Sequence, residues 1–327
     1  MKQAGLLKKV LVLIVMGLTI AAFMTGPGYA KDLLPMKISY LPIMDLQQLY
    51  VAQEKGFFEE EGLKVESQVA QGGAVSQTLV ESGSVDLGWT AVVPLSQAHA
   101  KGFDFVFVAP GVFVDQTNLK EVGIIVKRDS PMQSFKDLAG KKIAILALKA
   151  LPHLAITVLA DYYGVDINTI KFVEVPVPSI PAAVREGAVD AGHIAEPFIA
   201  ASEAEGSARL LYAGYYPPEI AERVMVAGWF AKKSLLGKNK EKMERFLKAI
   251  AKTTDYINAH PEEMPAIIAK YTKLDVNLLK KITPPKFYTK TYKKDIQVQI
   301  DLCAKYGFID KGFDTKEIIA DIFQLED

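Results

Sequence analysis

Six short turns between apolar segments carry most of the residues able to grip a small molecule. One set is Ile43-Met44-Asp45-Leu46-Gln47, Gly72-Gly73 and Trp89-Thr90-Ala91. The other is Leu148-Lys149-Ala150-Leu151-Pro152-His153, Val177-Pro178-Ser179 and Glu196-Pro197-Phe198. A helix that begins at such a turn offers free N–H groups and the positive end of its dipole, suited to an anion or a carbonyl. Gly73 allows a tight turn and close approach of backbone to ligand. Trp89 can stack on a flat ligand or pack in the core, and Thr90 can donate its hydroxyl or cap a helix. Lys149 can neutralise an anion or simply be solvated. His153 is a ligand contact or a surface helix residue. Glu196 can cap its helix, bind a ligand or act at a hinge, and Asp45 is also an N-cap candidate. Asp115-Gln116-Thr117-Asn118 adds a polar stretch with Gln116 at its centre, while Phe198 and Trp229 read as core.

These residues suit binding better than catalysis. No phosphate-binding loop, dinucleotide fingerprint, zinc-protease pair or nucleophile elbow occurs. Cys303 is the only cysteine, so no intrachain disulfide forms, and its apolar helical setting reads as core filler. His99, His153, His193 and His260 are scattered without metal-ligand spacing. Neither a cofactor nor a metal is expected.

The turns repeat because the chain does. Gly83-Ser84-Val85-Asp86-Leu87-Gly88 and Gly187-Ala188-Val189-Asp190-Ala191-Gly192 share the pattern Gly-x-Val-Asp-x-Gly and lie 104 residues apart. Lys37-Ile38 and Lys142-Ile143, each opening a strand, lie 105 apart. Around them the apolar periods predict strands Met36–Leu41, Leu63–Val69, Val85–Trp89 and Phe105–Pro110, with helices over 46–55, 74–82 and 93–101 between them. A long strand over 118–127 follows. The pattern then restarts: a short helix 134–139, strands 142–147, 171–175, 189–194 and 209–212, and helices 151–163, 180–186 and 197–205. A return strand 224–230 precedes helices 239–258, 261–272, 277–281, 292–306 and 314–325, the last with Asp314 as N-cap. Alternation of strand and helix marks parallel sheets. Two crossings, near 119–123 and 225–230, imply two α/β lobes on a two-strand hinge: residues 31–120 with 229–327, and 121–228. Ligands bind beyond the carboxyl ends of parallel strands, which places one cleft between the lobes.

Half of the 327 residues are apolar, enough for a large core, and 38 basic residues balance 38 acidic ones. Balanced charge argues against a nucleic-acid surface. Lys2, Lys8 and Lys9 precede the apolar run Val10–Met24, and Gly28 and Ala30 have the spacing of a signal-peptidase site. Cleavage after Ala30 and export are expected, with no lipid-modified cysteine nearby.

Several segments resemble the substrate-binding proteins of nitrate/sulfonate/taurine-type ABC importers, a superfamily that includes thiamine-pyrimidine-synthase-like proteins. They are Met36–Glu66 with Lys55-Gly56-Phe57-Phe58-Glu59-Glu60-Glu61-Gly62-Leu63, the two Gly-x-Val-Asp-x-Gly stretches, Phe135–Ile143 and Ala195-Glu196-Pro197-Phe198. The resemblance runs from Met36 to about Tyr271. It implies a type II periplasmic-binding-protein fold whose lobes close on a solute and present it to a membrane permease driven by a separate ATPase. The expected protein is a non-enzymatic, monomeric, periplasmic receptor. Its candidate ligand contacts are Met44, Asp45, Leu46, Gln47, Gly73, Trp89, Thr90, Gln116, Lys149, His153 and Glu196. The turn Ala147–Pro152 is bulkier than the small-residue turn of many sulfonate and nitrate binders. That favours a more apolar organic solute, with aromatic, carboxylated or sulfonated molecules among the choices. The alternatives are a small-molecule enzyme on the same fold, which export and the single cysteine disfavour, and a periplasmic ligand sensor.

Overall fold

The repeated Gly-x-Val-Asp-x-Gly motif is a structural clamp, used twice. The computed structural model describes residues 33–70, 72–323 and 325–327; the expected leader lies outside them. In each copy the first glycine, Gly83 or Gly187, ends a helix with φ near +70° (+72° and +75°), a conformation glycine adopts without strain. Val85 and Val189 are buried. The aspartate then grips the lysine that opens the first strand. Asp86 Oδ2 accepts from Lys37 N at 2.8 Å, and Asp190 Oδ2 from Lys142 N at 2.8 Å. The aspartate N–H returns to the same lysine's carbonyl at 2.7 and 2.9 Å. The last glycine lets a helix pack close. A Cβ on Gly88 would sit 2.4 Å from Ser76 Oγ, and one on Gly192 would sit 2.2 Å from Ile180 Cγ2. The two sequence echoes therefore meet in pairs, each motif on its own lysine.

Residues 122–213 build one five-stranded sheet. Its strands are β6 (Val122–Lys127), β7 (Lys142–Ile145), β8 (Lys171–Glu174), β9 (Ala191–Ala195) and β10 (Ala208–Ala213), in the order β10-β6-β9-β7-β8. Pairs β7–β8 and β7–β9 are parallel, as strand–helix alternation requires, whereas β6 runs antiparallel to both neighbours because it arrives by a crossing. Side-chain alternation divides its core between two faces. Ile124, Val126, Ile143 and Ile145 pack with Ile156 and Leu159 of the helix Leu151–Tyr163. Ile125, Ala144 and Ile194 pack with Ile180, Val184 and Ile199.

The remaining strands lie before and after that sheet in sequence. β1 (Leu34–Tyr40) and β2 (Leu63–Val69) pair in parallel, and Ile38 bridges to Leu87 just ahead of β3 (Gly88–Ala91). The other crossing brings the chain back through β11 (Arg223–Met225) and β12 (Ala227–Lys232). β12 inserts antiparallel between β3 and β4 (Phe105–Pro110). One large core surrounds these strands, including Trp229, Phe230, Phe246 and Phe287.

Several expectations are corrected. The stretch 118–127 is a 3-10 turn, Leu119–Glu121, followed by β6. A strand not anticipated, β5 (Val112–Asp115), pairs with β11 and with β13 (Lys286–Phe287). The return strand breaks at Val226, whose N–H donates to Val112 O at 2.8 Å. Residues 57–60, between the helix 47–55 and β2, add a helical turn. Asp45 caps no helix: it sits inside a 3-10 turn, Met44–Leu46, and the helix Gln47–Lys55 begins at Leu46 without a side-chain cap. Asp314 does accept from Lys316 N, but the helix it starts ends at Ile318. Tertiary contact overrides the helical pattern there, since Ile319 bridges to Phe107 and Ala320 N donates to Phe107 O at 2.9 Å.

Candidate functional site

The carboxyl ends of the strands are marked by apolar side chains left in solvent. Seven large apolar residues among those described are exposed, and five of them cluster at strand ends or helix starts: Ile43, Val69, Val75, Leu146 and Leu148. Ile43, Val69 and Val75 belong to the β1, β2 and β3 neighbourhood; Leu146 and Leu148 follow β7. Exposed apolar groups collected at strand ends signal a surface meant to be covered.

Three carboxyl groups gather nearby. Glu121 precedes β6 and Glu196 follows β9, and strand pairing holds them side by side, with Glu196 N donating to Glu121 O at 2.8 Å. Gly214 N donates to Val122 O at 2.8 Å, which brings Tyr215 to the same end of the sheet. Asp45 approaches from the β1 turn. Glu121 is 4% exposed, and its pKa is driven well above the ordinary range by burial, then by the charge of Asp45, then by that of Glu196. Burial pushes the Asp45 carboxyl up to about 6. Tyr215 is raised by burial and then by Glu121 and Asp45. His193 stacks on Tyr215 at 5.5 Å, but burial pushes its pKa down to about 4, so it supplies no positive charge near neutral pH. Its Nε2 is buried and unpartnered.

The expected contacts fall into groups. Asp45 and Glu196 join Glu121. Glu196 also caps: Oε2 accepts from Ala200 N at 2.9 Å, while Oε1 accepts from Thr283 N at 3.3 Å, 87 residues further along the chain. Gly73 and Thr90 adjoin, since a Cβ on Gly73 would lie 3.2 Å from Thr90 Oγ1, which accepts from Gln77 at 3.3 Å. Trp89 is buried edge-on against Trp229, ring centroids 5.1 Å apart. Met44, Leu46 and Gln47 are buried beside Asp45. Gln116 is exposed and lines a narrow crevice with Tyr215 and Tyr216.

Lys149 and His153 belong to a different contact. Lys149 has φ +60°; its N–H donates to His153 Nδ1 at 2.9 Å and its carbonyl accepts from Gln97 Nε2 at 2.8 Å. Its ammonium donates to Gly307 O at 2.8 Å and lies 4.6 Å from the centre of the Phe308 ring. Asp161 accepts from Lys305 at 2.9 Å and from Tyr306 at 2.6 Å. Residues of the five-stranded sheet's helix thus hold the segment after residue 304 from outside the carboxyl group. Burial, then the Lys149 charge, lowers the His153 pKa.

Glu121 and Tyr215 were not anticipated. Glu121 follows Lys120 and reads as a solvated charge, yet it borders the apolar run Val122–Val126, where the crossing enters the sheet. Among the described residues one group, His260, Glu262 and Glu263, places possible metal-ligand atoms within 4.8 Å of one another. Glu263 is already engaged by Lys55 at 2.7 Å and by Tyr256. No helix among the described residues is long and apolar enough to cross a membrane.

This arrangement is the periplasmic-binding-protein fold. The periplasmic aliphatic sulphonate binding protein SsuA from Escherichia coli matches with a TM-score of 0.73 at 21% identity, over 89% of this chain and 98% of that one. The chain belongs to the NMT1/THI5-like family, whose model matches residues 44–264. It is 25% identical to a putative aliphatic sulfonates-binding protein of Bacillus subtilis over 97% of this chain and 96% of the relative. A 4-amino-5-hydroxymethyl-2-methylpyrimidine phosphate synthase of Aspergillus parasiticus is 26% identical over 65% of this chain, and the match spans 63% of that relative's length. The family therefore holds proteins named for binding and proteins named for synthesis.

Proposed function

We propose that this protein is the solute-binding component of an ABC import system, acting in the periplasm and holding a small organic solute between the two sets of strand ends. The observation that carries the reading is buried Glu121 beside both Asp45 and Glu196 at strand ends where Ile43, Leu146 and Leu148 are exposed. It supplies a polar floor and an apolar rim, the usual make-up of a small-molecule site. The lobes of this proposal are residues 31–120 with 229–327, and 121–228. The five-stranded sheet and its two cores draw only on residues 122–213, which supports that division. Closure would bend the crossings at 119–122 and 213–227, with the solute favouring the closed form by touching both lobes. A monomer that docks on a permease with its ATPase completes the proposal. Of the expected contacts, Asp45, Gly73, Thr90 and Glu196 are kept as ligand-facing, and Glu121 and Tyr215 join them.

The synthase names among the relatives favour a second reading, an enzyme acting on a pyrimidine-like substrate. Against it, the sole thiol, Cys303, is buried with its pKa pushed up to about 12. The test is to dialyse the purified protein against a cell extract, wash it, unfold it and weigh what is released. One solute, recovered unchanged near one per chain, is expected. A ligand at a hundred times its dissociation constant should also stabilise the fold by about 2.7 kcal/mol. A solute recovered chemically altered would refute the binding reading, and so would a protein that retains and responds to nothing.

A further inference from the structure

Acids that tie the fold together elsewhere in this chain, buried or not, have donors. Asp295, with no exposed surface, takes Arg223 at 2.5 Å and the Tyr292 N–H at 2.8 Å. Asp86 takes Lys37 N and Lys242 Nζ, Asp190 takes Lys142 N, and Glu196 takes two backbone N–H groups. Asp45 and Glu121 break the pattern. Among the described residues nothing donates a hydrogen bond to either carboxyl group, and no lysine or arginine pairs with them. Glu121 is nevertheless 96% removed from solvent (4% exposed) and lies where Asp45 meets it from the other set of strands. A carboxylate buried with no donor is rare and costly unless something else satisfies it. Glu121 is such a group, and beside half-buried Asp45 and the adjoining Glu196 it makes an acidic place that repels anions and that a cation would satisfy.

We propose that the solute is an organic cation, whose protonated amine or amidine-type nitrogen sits between Asp45 and Glu121 while its apolar body lies against Ile43, Leu146 and Leu148. This rests on the solute-binding reading and narrows it. It turns away from the carboxylated or sulfonated solutes that the bulk of the Ala147–Pro152 turn left open. Tyr215, beside both acids, offers a ring face to the same positive group. The N–H groups of a protonated nitrogen answer both defects at once, since they cancel repulsion between the acids and donate to each. A bare metal ion answers the charge but leaves the apolar rim uncovered.

The experiment uses matched pairs of equal shape and opposite charge at 10 mM: phenethylamine against 3-phenylpropionate, and benzamidine against benzoate, with calcium as the inorganic cation. Thermal melting of the purified protein is the readout, with calorimetric titration of any solute that shifts it. The cationic member of a pair should raise the melting temperature and its anionic twin should not. Glu121→Gln should weaken that binding at least tenfold while melting no lower than the parent when free. Asp45→Asn should do the same. A shift by the anions, or by calcium alone, overturns the assignment, and so does the absence of a shift with both organic cations. The solute-binding reading is judged separately, by what the parent protein retains from a cell extract.

Discussion

Asp45→Asn should make the empty protein more stable near neutral pH, and the gain should vanish in acid. Burial lifts the Asp45 carboxyl from the ordinary 3.8 to about 6. Between those values the folded chain keeps a proton that the unfolded chain has released, so stability falls as pH rises through the window. Above it the ionised group costs the fold up to about 3 kcal/mol, at roughly 1.4 kcal/mol per unit of displacement. Asparagine keeps the size and drops the charge. At pH 7.5 the variant should therefore gain up to about 3 kcal/mol, or on the order of 6 °C in melting temperature for a chain of this length. At pH 4 it should match the parent. Glu121, Tyr50 and Tyr215 are the titrating groups that face Asp45, and each is raised in part by its charge, so their response adds in the same direction. Urea unfolding of the ligand-stripped protein at both pH values makes the measurement. A variant less stable than the parent at pH 7.5, or one equally stabilised at both pH values, would refute the reasoning.

Three further changes probe other parts of the structure. Arg223→Ala strands the fully buried Asp295 and removes a guanidinium 4.6 Å from the Tyr288 ring centre, so it should cost about 3–5 kcal/mol in urea unfolding; a loss below about 1 kcal/mol would show that the pair is dispensable. Gly192→Ala drives a methyl to 2.2 Å from Ile180 Cγ2 and should cost about 1–3 kcal/mol, with a smaller loss on an Ile180→Ala background, which lacks Cγ2, if the clash is the cause. Asp161→Asn loosens the hold on Lys305 and Tyr306. If that contact belongs to the closed form, the variant's solute affinity should fall by no more than about fivefold, as befits an exposed ion pair, and the difference should shrink in high salt. An affinity difference that ignores salt would deny the contact an electrostatic role.

Local pattern carried far where neighbours in sequence decide the outcome. Strands Leu63–Val69 and Phe105–Pro110 and the helix Leu151–Tyr163 lie at the expected residues, because turn glycines and apolar periods bound them. The duplicated motif was readable as a repeat, but not as a clamp, since its partner lysines lie 49 and 48 residues away. β5 follows Pro110-Gly111 and depends on β11 and β13, more than a hundred residues later, so nothing local announced it. Asp314–Leu325 shows the reverse, a helical pattern that Phe107 draws into extended contact past Ile318. The site divides in the same way. Asp45 and Glu196 stand at turns that strand–helix alternation marks. Sequence pattern marks the polar stretch Asp115–Asn118, a few residues ahead, but not Glu121, because a lone glutamate after a lysine looks solvated until strand pairing carries it inside.

The chain has two tryptophans, Trp89 and Trp229, and they touch. Both are buried, and Trp229 Nε1 donates to Gln48 Oε1 at 3.2 Å. Their emission should be blue-shifted and their near-ultraviolet dichroism should carry the mark of a coupled pair. Residues 122–213 contain tyrosine but no tryptophan. Light absorbed at 295 nm therefore interrogates one part of the molecule and is blind to the other. Melting followed by tryptophan emission and melting followed by far-ultraviolet dichroism would coincide if the parts unfold together. They would separate, with the dichroism changing first, if the five-stranded sheet opens alone.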